Sequence, residues 1–275
     1  MKNPLSILTL LVLGGLAHGS TVLSDSFDSY SPGSLAGQGG WTRITSGGTT
    51  NPIQVSTDPD DDSNQLAALG GTDYDDPSFS GDDLFRAFGS TVAYVTGGSI
   101  EMDFTLLVDQ VQTGAIFAGF GPTATAANNT IYGCIFVQDD GSGGYYLGLA
   151  AVGANTTATT ATYGTDSLDP YTDYAISLVW NFAGGQNKDT FQLFVDGDLY
   201  QDYTWSQSGS TPSQLASMIL RQGGASAAPV LTIDDLSVLS PQELVIPEPA
   251  AITLLASGAA GLFLLRRHRP AMPAA

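Results

Sequence analysis

The chain has 275 residues, and residues 20–240 carry four basic residues, Arg43, Arg86, Lys188 and Arg221, against 25 acidic ones, a formal −21. That balance excludes nucleic acid, whose phosphates need clustered Lys and Arg, and favours calcium, neutral glycans or cationic surfaces, besides keeping an exported domain soluble. The two histidines, His18 and His268, lie outside this stretch and Cys134 is the single cysteine, which removes a Ser-His-Asp triad, a Cys-His pair, His-ligated zinc and any intrachain disulfide.

Residues 1–19 have the form of a secretory signal: Lys2 is the positive start, Leu5 to Leu16 the apolar run, and Ala17-His18-Gly19 the small-residue cleavage site. The run is too short to span a bilayer, so cleavage leaving Ser20 as the mature N-terminus is expected.

From residue 20 to 240 the hydrophobic period is two. The predicted strands, in chain order, are Thr21 to Phe27, Ser99 to Asp109, Ala115 to Phe120, Ile131 to Gln138, Tyr145 to Val152, Tyr174 to Phe182, Phe191 to Val195, Met218 to Arg221 and Val230 to Leu239. Asp196-Gly197 is a hairpin-turn dipeptide. The inward set Leu231 and Ile233 changes register to Leu236 and Val238 across Asp234-Asp235, which predicts a bulge. Cys134 sits in the apolar run Ile131 to Val137, as a buried structural thiol. Asn155 to Thr162 is low in complexity and reads as an exposed loop or edge strand. Many strands divided by Gly-, Asn- and Asp-rich turns, with no linker between them, predict one all-β sandwich or barrel domain over residues 20–240.

Residues 241–249 then form a linker that ends in Pro247-Glu248-Pro249. Residues 250–265, AAITLLASGAAGLFLL, hold no charge, and Arg266-Arg267-His268-Arg269 opens the basic tail of residues 266–275. A short transmembrane helix with its basic end cytoplasmic is expected, leaving the acidic domain outside. Motif, apolar segment and basic cluster together resemble the PEP-CTERM sorting signal. The resemblance implies signal peptidase and an exosortase-type enzyme as processing partners, and a transient inner-membrane anchor. The destination it implies is the cell envelope, outer surface or exopolysaccharide matrix. Pro247, Glu248, Pro249, Arg266, Arg267 and Arg269 are its sorting residues.

Within the body, Asp25-Ser-Phe-Asp28 followed by Gly37-Gln-Gly-Gly-Trp41, the hairpin Phe191 to Tyr200 and the closing strand Leu231 to Val238 resemble the concanavalin-A-like, laminin-G-like jelly roll. That resemblance implies a β-sandwich whose first and last strands pair. It also implies calcium near the chain ends, with Asp25, Asp28, Asp234 and Asp235 as ligands. A rival cation site is the acidic stretch containing Asp58, Asp60 and Asp62 with Asn64. Dense Asp and Asn supply the six to eight oxygens calcium takes, although the spacing is not that of an EF-hand.

The resemblance also brings in retaining glycoside hydrolases with Glu-x-Asp-x-Glu or Glu-x-Asp-x-x-Glu strands. Here Glu101-Met-Asp103 starts the pattern, but Thr105 and Leu106 stand where the second glutamate belongs, so half of the required carboxyl pair is missing. Among the aromatics, Trp180 reads as core, whereas Trp205, Tyr203 and Trp41 lie in polar surroundings and are the expected sugar contacts. The expected function is therefore non-enzymatic glycan binding or association with exopolysaccharide. The alternatives are a carboxylate-based hydrolase and a structural envelope protein without ligand.

Overall fold

The computed structural model describes residues 20–44, 52–59, 61–70, 83–111, 115–124, 130–152, 161–206, 210–221 and 230–240. The expected signal peptide, Asp60, the expected loop or edge strand from Asn155 to Thr160, the sorting motif, the apolar segment and the basic tail lie outside these residues. Among the described residues there is no helix, so none is long and apolar enough to cross a membrane.

Among the described residues sixteen strands form two antiparallel sheets. The nine-stranded sheet holds β1 (Ser20–Asp25), β2 (Gly33–Ser34), β4 (Gln54–Thr57), β5 (Gln65–Leu69), β7 (Ser99–Gln110), β12 (Tyr174–Asn181), β13 (Thr190–Val195), β14 (Asp198–Thr204) and β16 (Val230–Ser240). The seven-stranded sheet holds β3 (Trp41–Arg43), β6 (Asp83–Ala93), β8 (Ala115–Gly121), β9 (Tyr132–Asp139), β10 (Tyr145–Val152), β11 (Thr162–Tyr163) and β15 (Gln214–Arg221).

The main core lies between the sheets. In β7, Ile100, Met102, Phe104, Leu106 and Val108 are buried while Glu101, Asp103 and Thr105 are half-buried on the opposite face, as the period of two dictates. β12 alternates in the same way, with Ile176, Leu178 and Trp180 inward. Two central residues with positive φ, Asp196 at 52° and Gly197 at 84°, close the β13–β14 hairpin, the backbone that the right-handed twist of the strands requires.

The first and last strands pair, from Ser20 opposite Ser240 to Asp25 opposite Leu236. β16 lies beside β7 along its other edge, and its register slips between Asp234 and Ser237. Asp235, with φ of 48°, is the extra residue of that bulge. The expected bulge thus falls at the expected dipeptide.

A second, smaller cluster lies on the face of the seven-stranded sheet away from the main core. It comprises Ile44, Phe85, Ile131, Cys134, Phe136, Ala150 and Ile219, all buried. Strands β6, β9 and β15 are therefore apolar on both faces, which accounts for near-continuous runs such as Tyr132-Gly-Cys-Ile-Phe-Val137. Burial pushes the Cys134 thiol far up, with Arg221 only partly offsetting it, so this cysteine is an inert core side chain.

Candidate functional site

The carboxylates expected to hold calcium fall into two different settings. Asp25, at the end of β1, is 7% exposed. It accepts hydrogen bonds from the Phe27 amide at 3.0 Å, the Tyr30 hydroxyl at 2.8 Å and the Trp41 indole Nε1 at 2.8 Å. The Arg86 guanidinium of β6 also pairs with it. With four donors, one of them cationic, its oxygens are taken, and it ties the two sheets together instead of offering a metal ligand. Burial, and then the bond to Asp25, push the Tyr30 hydroxyl up to about 12, with Arg86 opposing.

The two rival acidic clusters meet in space. The Asn64 side-chain amide donates to Asp58 Oδ2 at 3.2 Å and to Asp234 Oδ2 at 3.0 Å. Asp28 accepts the backbone N–H of the neighbouring Gln65 at 3.3 Å. Burial holds the Asp234 carboxyl above its usual range, and the charges of Asp235 and Asp28 add to that. The Asn64 bond and the Asp235 amide oppose it. An N–H donor thus occupies the space between Asp58 and Asp234 where a cation would sit. Among the described residues no three His, Cys, Asp or Glu side chains are grouped to hold a metal. Asp62 lies exposed in the turn beside Asp61 and Ser63.

The expected aromatic contacts are core residues. Trp41 and Trp205 are 0% exposed and Tyr203 is 5% exposed, so none of these rings faces a ligand. Trp205 and Trp180 meet edge to face with centroids 6.1 Å apart. Tyr203 packs on Phe191 at 6.1 Å. Beside them lies a node the sequence does not announce. Asp189, fully buried, accepts from the Tyr94 hydroxyl at 2.7 Å, the Trp180 indole at 3.0 Å and the Ala183 and Gly185 amides at 2.7 Å each. Trp41 and Trp180 both turn their indole N–H onto a buried aspartate, which is how a wholly enclosed tryptophan satisfies its single donor.

What remains open to solvent is the outer face of the nine-stranded sheet. Its nine strands hold eight carboxylates and no Lys or Arg. Pairing across β12, β7 and β16 sets Ser177, Asp103 and Ser237 in one row and Ala175, Thr105 and Asp234 in the next. A depression of about 250 Å³ opens here, lined by residues that include Asp103, Thr105, Ser177, Gly197 and Asp235. Of the expected cation residues, only Asp235 lines it. At its rim Ser177 Oγ donates to Glu101 Oε1 at 3.1 Å. Burial raises the Glu101 carboxyl, Asp103 adds to that, and Ser177 opposes it. The neighbours of Glu101 and Asp103 on this face are hydroxyl and aliphatic groups. The surface can therefore accept and donate hydrogen bonds to a polyhydroxylated ligand.

No protein-family model matches the chain, and no curated protein matches it. Solved structures share its fold. A sialidase superposes with a TM-score of 0.52 at 12% identity, over 80% of this chain and only 18% of the sialidase. Alginate lyase Aly36B in complex with an alginate tetrasaccharide gives 0.50 at 14% identity, over 81% of this chain and 97% of that one. The globular domain of T. cruzi calreticulin gives 0.50 at 10% identity, over 80% and 88%. At these identities the likeness is one of fold: a two-sheet β-sandwich found in enzymes and in other proteins alike.

Proposed function

We propose that this is an exported, envelope-sorted protein whose jelly-roll domain binds neutral polysaccharide without turning it over. The observation that carries the reading is the outer face of the nine-stranded sheet, where a depression offers hydroxyl and carboxylate groups at Asp103, Thr105, Ser177 and Asp235 beside the apolar Ala175 and Ile176. Carboxylates accept hydrogen bonds from sugar hydroxyls, and the formal −21 of residues 20–240 repels acidic glycans, which leaves neutral ones. Fold likeness to an alginate lyase and a sialidase supports carbohydrate as the ligand class, and the charge of this chain is what selects neutral over acidic glycans.

Absence of turnover rests on the missing histidines and on the strand Glu101 to Leu106, which lacks the second glutamate a retaining hydrolase needs. Export and sorting rest on the signal-like residues 1–19 and on the Pro247-Glu248-Pro249 tail with Arg266, Arg267 and Arg269. Signal peptidase and an exosortase-type enzyme are the processing partners in this reading.

A polysaccharide array probed with the full chain in mild detergent, with calcium and again with chelator, tests the reading. Retention on neutral glycans, unchanged by chelator and without reducing-end release, is the expected result. Chelator-sensitive binding would return calcium to the site, and reducing-end release abolished by Glu101→Gln would make the protein a hydrolase. Mass spectrometry of the exported protein tests the sorting: a start at Ser20 and loss of residues after the Pro-Glu-Pro motif are expected.

A further inference from the structure

Five described residues other than glycine have a left-handed backbone: Phe27, Tyr171, Asn187, Asp196 and Asp235. Asn and Asp tolerate this conformation, because a short polar side chain bonds locally. Phe27 is a bulky exception, but its ring is 1% exposed and packs against Trp41 and Tyr30, so core burial offsets the strain. Tyr171, at φ of 60°, has neither compensation: its side chain is 75% exposed. It follows Pro170 in a turn, where a positive φ ordinarily calls for glycine or asparagine. A strained bulky residue that projects its ring into solvent contributes little to the fold, and such positions cluster at ligand contacts.

The turn is held rigid. The Tyr171 amide donates to the Val108 carbonyl of β7 at 3.0 Å. The Asp169 amide donates to the Tyr174 hydroxyl at 3.1 Å, and Leu168 exchanges both backbone hydrogen bonds with Tyr145 at 2.9 and 2.8 Å. Val108 lies three residues along β7 from Thr105 in the depression, a span of about 10 Å that one oligosaccharide bridges. Asp109, next in the chain to Val108, is half-buried, and Asp173, two residues after Tyr171, is exposed. They lie close enough for the Asp173 charge to add to burial in raising the Asp109 carboxyl.

We infer that Tyr171 is an aromatic platform on which a pyranose ring of a neutral polysaccharide stacks, with Asp109 and Asp173 accepting its hydroxyls. This rests on the glycan reading above and gives it an anchor. Ring-on-sugar stacking uses the apolar face of the sugar, and a platform fixed in advance loses little entropy on binding.

Affinity electrophoresis of the full chain and its variants through gels containing laminarin or another neutral polysaccharide, with alginate as the acidic control, tests the inference. Tyr171→Ala is expected to weaken retardation roughly tenfold, Tyr171→Phe to keep it within about twofold, and alginate to give none. Tyr171→Gly is expected to weaken retardation as much as Tyr171→Ala while raising the melting temperature, because glycine relieves the left-handed backbone. Retardation of the original chain that survives in both Tyr171→Ala and Tyr171→Gly overturns the platform and leaves the glycan reading standing. Failure of the original chain to bind any neutral polysaccharide overturns both.

Discussion

On the outer side of the nine-stranded sheet stand Glu101, Asp103, Thr105, Ser177, Asp234 and Ser237, half-buried and polar, whereas the outer side of the seven-stranded sheet carries Phe85, Cys134, Phe136, Ala150 and Ile219, all buried. Charge divides along the same line. The strands of the first sheet contain eight acids and no base, while those of the second contain Arg43, Arg86 and Arg221 against Asp83 and Asp139. One sheet is built with a single apolar face and the other with two. Among the described residues the first keeps hydrogen-bonding groups on its outer face, and the second supplies the arginine that pairs with the first sheet's buried Asp25.

The largest expected effect comes from removing that link. Arg86→Met leaves Asp25 without its cation and is expected to cost about 4 kcal/mol in denaturant unfolding, and a loss under 1 kcal/mol would show that Tyr30, Trp41 and the Phe27 amide suffice. Phe136→Ala is expected to cost about 3 kcal/mol, against roughly 0.5 kcal/mol or less for Thr105→Val on the opposite sheet. Equal small effects would mean that the second apolar cluster is no core. Gly148→Ala probes the same cluster more finely. A Cβ there would meet the Tyr163 ring at 2.5 Å, and a cost of about 1–2 kcal/mol is expected.

The smallest effect is electrostatic and belongs to the acidic sheet. Glu101, Asp109 and Asp234 all have carboxyls raised in the fold, chiefly by burial. The folded chain therefore takes up protons before the unfolded one as pH falls. The stability these groups contribute is fully present below the ordinary carboxylate range and is lost as pH rises through their raised values. Melting temperature is expected to climb as pH falls through the raised values toward the ordinary carboxylate range, and Glu101→Gln with Asp234→Asn is expected to flatten that slope. Asp61 and Asp140 are shifted downward by hydrogen bonds from Ser63 and Ser167 and oppose the trend weakly. An unchanged slope in the double variant would place the pH dependence elsewhere.

Where one face of a strand meets water, the residue alternation is readable, and β7, β12, the Asp196-Gly197 hairpin and the Asp234-Asp235 bulge all lie where that pattern puts them. β6 is harder to read, because Leu84 and Phe85 are buried on opposite faces beside Arg86, so no period of two survives. Tyr203 and Trp205 could have been read as core: they alternate with the polar Asp202, Thr204 and Ser206, a pattern that puts both rings on one inward face. Nothing local links Asp25 to Trp41 and Arg86, 16 and 61 residues away. Nothing local reveals that Asn64 stands between Asp58 and Asp234 either. Tyr171 gives only the faint signal of a proline turn that lacks its customary glycine.

β16 has β7 along one edge, while its other edge is shared between β5, opposite Leu231 to Ile233, and β1, opposite Leu236 to Ser240. During synthesis the first strand of the domain waits more than 200 residues for its partner. Until that last strand arrives, β1, β5 and β7 each retain an open edge, and the nine-stranded sheet cannot close. Pairing of β1 with β16 is therefore a contact of long sequence separation that can form only once β16 has been made.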